Sequence, residues 1–251
     1  MTRLFSLIIA VFLAVALQPV AAEAQAFSLD LGALKDSVGG GSAAARMIQI
    51  ILLVTLLSMA PSILIMMTSF IRIAVVLSFM RSALGTQTTP PNQVIISLAL
   101  FVTMFVMMPV LQQSYEEGIL PLIEETITEQ QAIERTAQPF RVFMLRHVRD
   151  KDLSLFMNMA PQVEIESADQ TPYQILIPAF MISELKRAFE IGFLLFVPFL
   201  IIDMLVASTL MAMGMMMLPP VLISLPFKLI FFVLIDGWYM LIGSLVRSFG
   251  L

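Results

Sequence analysis

The chain has no cysteine, which excludes disulfides, thiol nucleophiles and thiolate-bound metals. Its single histidine, His147, cannot build a multi-histidine metal site or a histidine relay. Charge is also scarce: 13% of the 251 residues are Asp, Glu, Lys or Arg, about half the share in an ordinary soluble domain (about 25%). The net charge of −4 gives no basic footprint for nucleic acid. No G-x4-G-K-[ST] phosphate loop, H-E-x-x-H zinc motif or G-x-S-x-G elbow occurs. Paired carboxylates are present as Glu116-Glu117 and Glu124-Glu125, but in an acidic run where solvation accounts for them. An enzyme is not expected, and no catalytic residue, metal or cofactor is assigned.

What the chain has instead is apolar surface. At 59% hydrophobic it exceeds the roughly 45–50% of soluble domains, so it is an integral membrane protein or one whose apolar faces are covered by partner subunits. Of its 20 methionines, six fall between Met204 and Met217; their flexible thioethers suit surfaces that repack around varied partners.

Residues 1–26 read as a cleavable signal peptide: Arg3, an apolar core from Leu4 to Leu17, then Pro19 and small residues, with Ala22, Ala24 or Ala26 as the last of the leader. An uncleaved first transmembrane helix is the alternative. Residues 27–46, with Gly39-Gly-Gly-Ser42, are expected to be a flexible exported leader. Residues 47–111 form a first apolar helical hairpin. In it the run from Met47 to Arg81 is too long for one ~30 Å span, so either the helix is kinked at Pro61 or the run is two segments. A second span runs from Val94 to Leu111.

Residues 112–177 hold eleven acidic and five basic side chains and read as an acidic, helical, extramembrane insert. Within it, Phe140 to Val148 alternates apolar and basic residues at helical spacing, so that one face docks while the arginines and His147 face water. Residues 178–251 form the second apolar hairpin, Glu184, Lys186 and Arg187 marking the border with the insert. The fold class is all-α: two long hairpins, about four apolar helices, some kinked or broken, and a helical insert. The turns echo each other, Gly85-x4-Pro90-Pro91 against Gly214-x4-Pro219-Pro220, either as a parallel internal repeat or by coincidence in an apolar chain. With the N-terminus outside, both turns lie inside and the insert outside.

The second hairpin is tipped by Met213-Gly-Met-Met-Met217. Asp203 and Lys228 lie at similar depth on its two arms, about 17 Å from the loop at 1.5 Å per residue. Opposite charges at matched depth suggest a pair, within the hairpin or between copies. Arg72, Glu184 and Asp236 complete the set of polar residues inside apolar helices. They either fix helix register or take part in gating. Met215, Met216 and Met217 are either an ordinary apolar turn or, in a ring of such turns, a deformable plug around a pore.

The ordered motifs Met66-Met-Thr-Ser-Phe-x-Arg72, Arg81-x-Ala-Leu-Gly85, Pro90-Pro-Asn-Gln93, Gln138-Pro-x-Arg141, Ser183-Glu-Leu-Lys186, Ile201-Ile-Asp203, Met213-Gly-Met-Met-Met217, Leu225-Pro-Phe-Lys228 and Val233-x-x-Asp-Gly-Trp238 resemble the flagellar biosynthesis protein FliP family, which includes counterparts in virulence type III secretion. The resemblance spans nearly all of residues 47–246. It implies a core subunit of the flagellar protein export gate in the bacterial inner membrane at the basal body. It implies a homo-oligomer, a pentamer, assembled with two smaller sister membrane subunits into a helical pore complex. The large export-gate subunit lies below, rod proteins lie above, and unfolded flagellar proteins are the substrates. It also implies a pore gasket of Met213, Met215, Met216 and Met217, and helices buried against sister subunits more than against lipid. Assembly roles are expected for Asp203, Lys228, Glu184, Lys186, Arg72 and Asp236. A small-solute transporter or a structural basal-body scaffold are the competing functions.

Overall fold

Apolar runs at helical spacing can satisfy their backbone groups without water only by coiling, and every regular element among the described residues is helical. The computed structural model describes residues 43–86, 88–160, 171–215 and 218–250. The expected signal peptide and nearly all of the leader lie outside these. Residues 55–251 form one compact unit. Residues 1–54 separate from it, and their described part is the first half of helix α1.

The helices are α1 (Ala43–Met66), α2 (Phe70–Ala83), α3 (Asn92–Ser114), a π-helical turn (Tyr115–Ile119), α4 (Leu120–Ile123), α5 (Glu129–His147), α6 (Asp150–Met159), α7 (Tyr173–Ala212), α8 (Pro220–Leu234) and α9 (Gly237–Arg247). Two helical stretches among the described residues are long and apolar enough to cross a membrane: Asn92–Ile123 and Tyr173–Ala212. The pair α8 and α9, bent by 63° at its break, makes a third if taken as one span.

The long first run is two segments, as one of its two alternatives had it, but Pro61 lies within α1 and does not divide them. The run breaks at 67–69, where the Thr68 hydroxyl donates to the Ile65 carbonyl (3.0 Å) and accepts from the Phe70 amide (3.4 Å). Such local bonds compete with the helical ladder. At Glu184–Arg187 the helix is unbroken: α7 runs through for 40 residues, about 60 Å. The second span does not end at Leu111; the helical stretch continues past Pro109 and through the π turn to Ile123.

The core includes the seam where α2 lies along α7; Ile73, Val76, Leu77 and Met80 of α2 and Leu176, Ala179, Phe180 and Ala188 of α7 are all buried in it, Phe180 meeting Phe143 of α5. Helices α2 and α7 run parallel: Arg72 meets Glu184, and further along Phe79 meets Phe189 and Gly192. The turns that follow them have similar endings. Gly85 and Gly214 both take positive φ (78° and 74°), a conformation that costs glycine little. After the methionine turn's glycine, the Met215 amide reaches the Leu210 carbonyl (3.0 Å) and the Gly214 amide reaches that of Met211 (3.0 Å), closing the last turn of α7.

Between α8 and α9 the chain turns on Asp236 (φ 51°, ψ 54°), a residue type that tolerates the left-handed region. At the π turn, Gly118 is pressed against α5: a Cβ there would stand 2.1 Å from Thr136 Oγ1 and 2.7 Å from the Thr136 backbone nitrogen. A side chain can rotate away, but that backbone nitrogen is fixed in a helix. Gly118→Ala is therefore expected to destabilise the protein by about 1–3 kcal/mol, whereas Ala at Gly214, where a Cβ meets nothing within 4 Å, incurs only the positive-φ strain. Thermal unfolding of the two variants in detergent checks the order.

Candidate functional site

The methionine turn is held from below. Lys228, on α8 and 3% exposed, reaches Asp203 on α7, with Nζ 2.5 Å from Oδ2. The Ser224 hydroxyl, one helical turn before Lys228, donates to Asp203 Oδ1 (2.5 Å). Lys228 Nζ also donates to the Ala83 carbonyl (3.2 Å), in the last turn of α2. A cation there meets the negative end of a helix dipole as well as a carboxylate. The pair thus closes within one hairpin and ties it to the helix leading into the first turn. Above this clasp Met213 and Met215 are 62% and 47% exposed, beside the exposed Met211, Leu218, Val221 and Leu222. Met216 and Met217 lie outside the described residues.

A second polar centre is buried more deeply. Arg72 on α2 and Glu184 on α7 are 1% and 0% exposed. Arg72 Nε donates to Glu184 Oε2 (2.8 Å) and Nη2 to Oε1, a two-pronged guanidinium–carboxylate pair. The remaining donor edge takes the C-terminal segment: Nη1 donates to the Ser248 carbonyl (3.1 Å) and hydroxyl (2.9 Å), and the guanidinium carbon lies 3.8 Å from the centre of the Phe249 ring. Phe249 in turn stacks on Phe143 and meets His147 of α5. Four parts of the chain thus converge on one charge pair.

The model of the FliP family matches residues 53–245, a stretch that contains both polar centres and the methionine turn. The chain belongs to the FliP family. Proteins named flagellar biosynthetic protein FliP are similar to it over most of their length. That of Caulobacter vibrioides is 53% identical over 238 residues, 94% of this chain and 87% of the relative. That of Pectobacterium carotovorum is 55% identical over 210 residues (84% and 81%), and that of Bacillus subtilis 54% over 202 residues (80% and 91%).

Other charges of this FliP-family chain lie elsewhere than in a buried set. Lys186 is half exposed and reaches only Glu190, one turn on, at 3.5 Å, a surface pair of small energetic weight. Asp236 is exposed at the break before α9 rather than inside a helix, because the chain needs its left-handed conformation there. His147, expected on the surface, is 5% exposed. It falls on the same helical face as Phe140, Phe143 and Met144, and that face docks whole, histidine included. Arg146 does face water, but Arg141 lies over the Tyr173 ring (4.2 Å) and donates to the Thr171 carbonyl (2.5 Å).

Sequence reasoning passed over the latch that joins α6 to α7. Arg149 grips Asp152 with Nε and Nη2 (both 2.8 Å), and the Ser183 hydroxyl donates to the same carboxylate (2.6 Å). Burial alone would raise the Asp152 pKa. The bonds from Ser183 and Arg149 outweigh it, and the carboxyl is held below its ordinary value. The Arg149-x-x-Asp152 spacing was the available signal; nothing in the sequence points to Ser183. Among the described residues no group of three or more His, Asp or Glu side chains is placed to hold a metal ion.

Two outcomes follow from these contacts. Arg72→Met leaves Glu184 buried without its partner and is expected to cost about 3–5 kcal/mol, most of it recovered in the Arg72→Met/Glu184→Met double variant; melting of the three proteins in detergent measures this. The second concerns His147. Its Nδ1–H donates to the Phe143 carbonyl (2.8 Å), and burial, aided by the positive charge of Arg72 and Arg187, lowers its pKa. The unfolded chain therefore takes up a proton below about pH 6.5 that the folded chain resists. Stability is present above that pH and falls as the pH drops from 7.5 to 5.5, while His147→Gln flattens that slope. Unfolding midpoints across this range test it.

Proposed function

We propose that this chain is a core, pore-forming subunit of the flagellar type III protein export gate. Membership of the FliP family across residues 53–245 carries the reading, and the names of the relatives supply its flagellar context. In this reading the two hairpins of several copies, a pentamer, assemble with two smaller sister membrane subunits into a helical pore in the bacterial inner membrane. The acidic insert lies on the periplasmic side, rod proteins above and the large export-gate subunit below. The exposed apolar faces of α3 and α7, with Phe101, Phe105, Phe193 and Leu194 among them, suit burial against neighbouring subunits.

The substrate is an unfolded polypeptide. A pore for such chains must stop ions yet admit segments of any sequence, a task for soft side chains rather than a shaped recognition site. Met213 and Met215, exposed at the tip of a hairpin braced by Lys228 and Asp203, together with Met216 and Met217, supply such a gasket. Narrow apolar rings also exclude ions by dewetting. The work of moving the chain is supplied by partners, so the subunit acts as a conduit, not an enzyme.

Replacing Met213, Met215, Met216 and Met217 with alanine is expected to leave the complex assembled, judged by co-purification of the sister subunits, while making membrane vesicles leaky to ions. Tight vesicles containing the variant complex would favour a scaffold over a gate.

A further inference from the structure

The methionine turn carries a reactivity that a plug of leucines would lack. Met213 and Met215 present their side chains at 62% and 47% exposure, and the backbone between them faces open space, with nothing within 4 Å of a Cβ placed at Gly214. The interior methionines Met80, Met107 and Met144 are at most 2% exposed. Met47, Met59, Met204, Met211 and Met240 are exposed too, but they lie within apolar helices that a bilayer or neighbouring subunits would cover; Met159, 69% exposed at the end of α6, is expected to oxidise as readily but lies far along the chain from the turn. The turn sits between the ends of α7 and α8 and outside the helical stretches long and apolar enough to cross a membrane. Thioether oxidation follows exposure.

We propose that Met213 and Met215 form a modification site at which peroxides convert the thioether to methionine sulfoxide, and that this change opens the apolar closure to water and ions. The second half rests on the gasket reading; the first does not. A sulfur lone pair attacks one peroxide oxygen, forming the S–O bond as the O–O bond breaks. Sulfur gives up two electrons, the peroxide accepts them, and with hydrogen peroxide the departing oxygen takes the transferred proton and leaves as water. The product replaces a flexible apolar side chain by a polar, chiral one. In a turn otherwise flanked by exposed apolar side chains, Met211, Leu218, Val221 and Leu222, that recruits water to a surface whose closure depends on excluding it. The change is reversible, since methionine sulfoxide reductases act on each epimer.

The test uses membrane vesicles containing the assembled complex, treated with hydrogen peroxide. Fragment mass spectra are expected to find one added oxygen at Met213 and Met215 on the order of tenfold sooner than at Met80 or Met144. Ion leakage is expected to rise in step and to fall again after treatment with the reductases. A Met213→Leu/Met215→Leu variant keeps apolar bulk and cannot be oxidised at those two positions, and is expected to leak no more with peroxide than without it. Equal oxidation rates at turn and interior would overturn the site. Leakage that persists in the leucine variant would overturn the assignment to these two residues. Sulfoxide without leakage would overturn the coupling while sparing the gasket, provided the alanine turn variant leaks. If the alanine variant is also tight, it is the gasket reading that fails, and the coupling with it.

Discussion

The fold depends on one charge pair with no access to water. Arg72 and Glu184 together lose solvation that their mutual attraction alone repays poorly. The surroundings make up the difference: both carboxylate oxygens are bonded, Ser248 takes another guanidinium nitrogen, and the flat face of the guanidinium rests on Phe249. Only one arrangement of α2, α5, α7 and the C-terminal segment satisfies these contacts at once. An apolar core of this composition could slide by a helical turn at little cost; a two-pronged ion pair cannot. The pair thus supplies register more than stability.

Register at this centre sets geometry at the other. Because α2 and α7 are pinned in parallel, the last carbonyls of α2 arrive beside Asp203, and Lys228 can bridge a carboxylate and a helix end simultaneously. The clasp then fixes how α8 leaves the methionine turn. In the proposed gasket a soft tip is useful only on a stiff stem, since side chains that repack freely need a backbone that does not. Ser224 contributes by occupying the second Asp203 oxygen, leaving neither oxygen to seek another partner.

The helical class and the pairing of Asp203 with Lys228 were legible in the sequence, because hydropathy and spacing along a helix carry that information directly. The sequence could not place Arg72 against Glu184, 112 residues apart, since spacing says nothing about which distant helices meet. Pro61 misled because a missing amide costs one hydrogen bond and need not end a helix, whereas the less conspicuous Thr68 supplies competing bonds that do. His147 misled for a related reason: polarity argued for the surface, but its position in the i, i+3, i+4, i+7 series of Phe140, Phe143 and Met144 argued for the core, and periodicity prevailed. The break at Asp236 was hidden because a left-handed aspartate looks like any other in a list of residues.

The length of α7 has a mechanical consequence. At about 60 Å the helix is twice as long as the hydrocarbon layer is thick (about 30 Å), and it is held near its first third by Glu184. Taken as a beam pivoting there, it has a short arm on the α6 side and an arm of some 28 residues leading to the turn. A tilt of about 5° would carry the far end roughly 4 Å sideways while the near end moved less than half as much. A small displacement on the side of the insert is thereby magnified at the tip, by about the width of a single side chain.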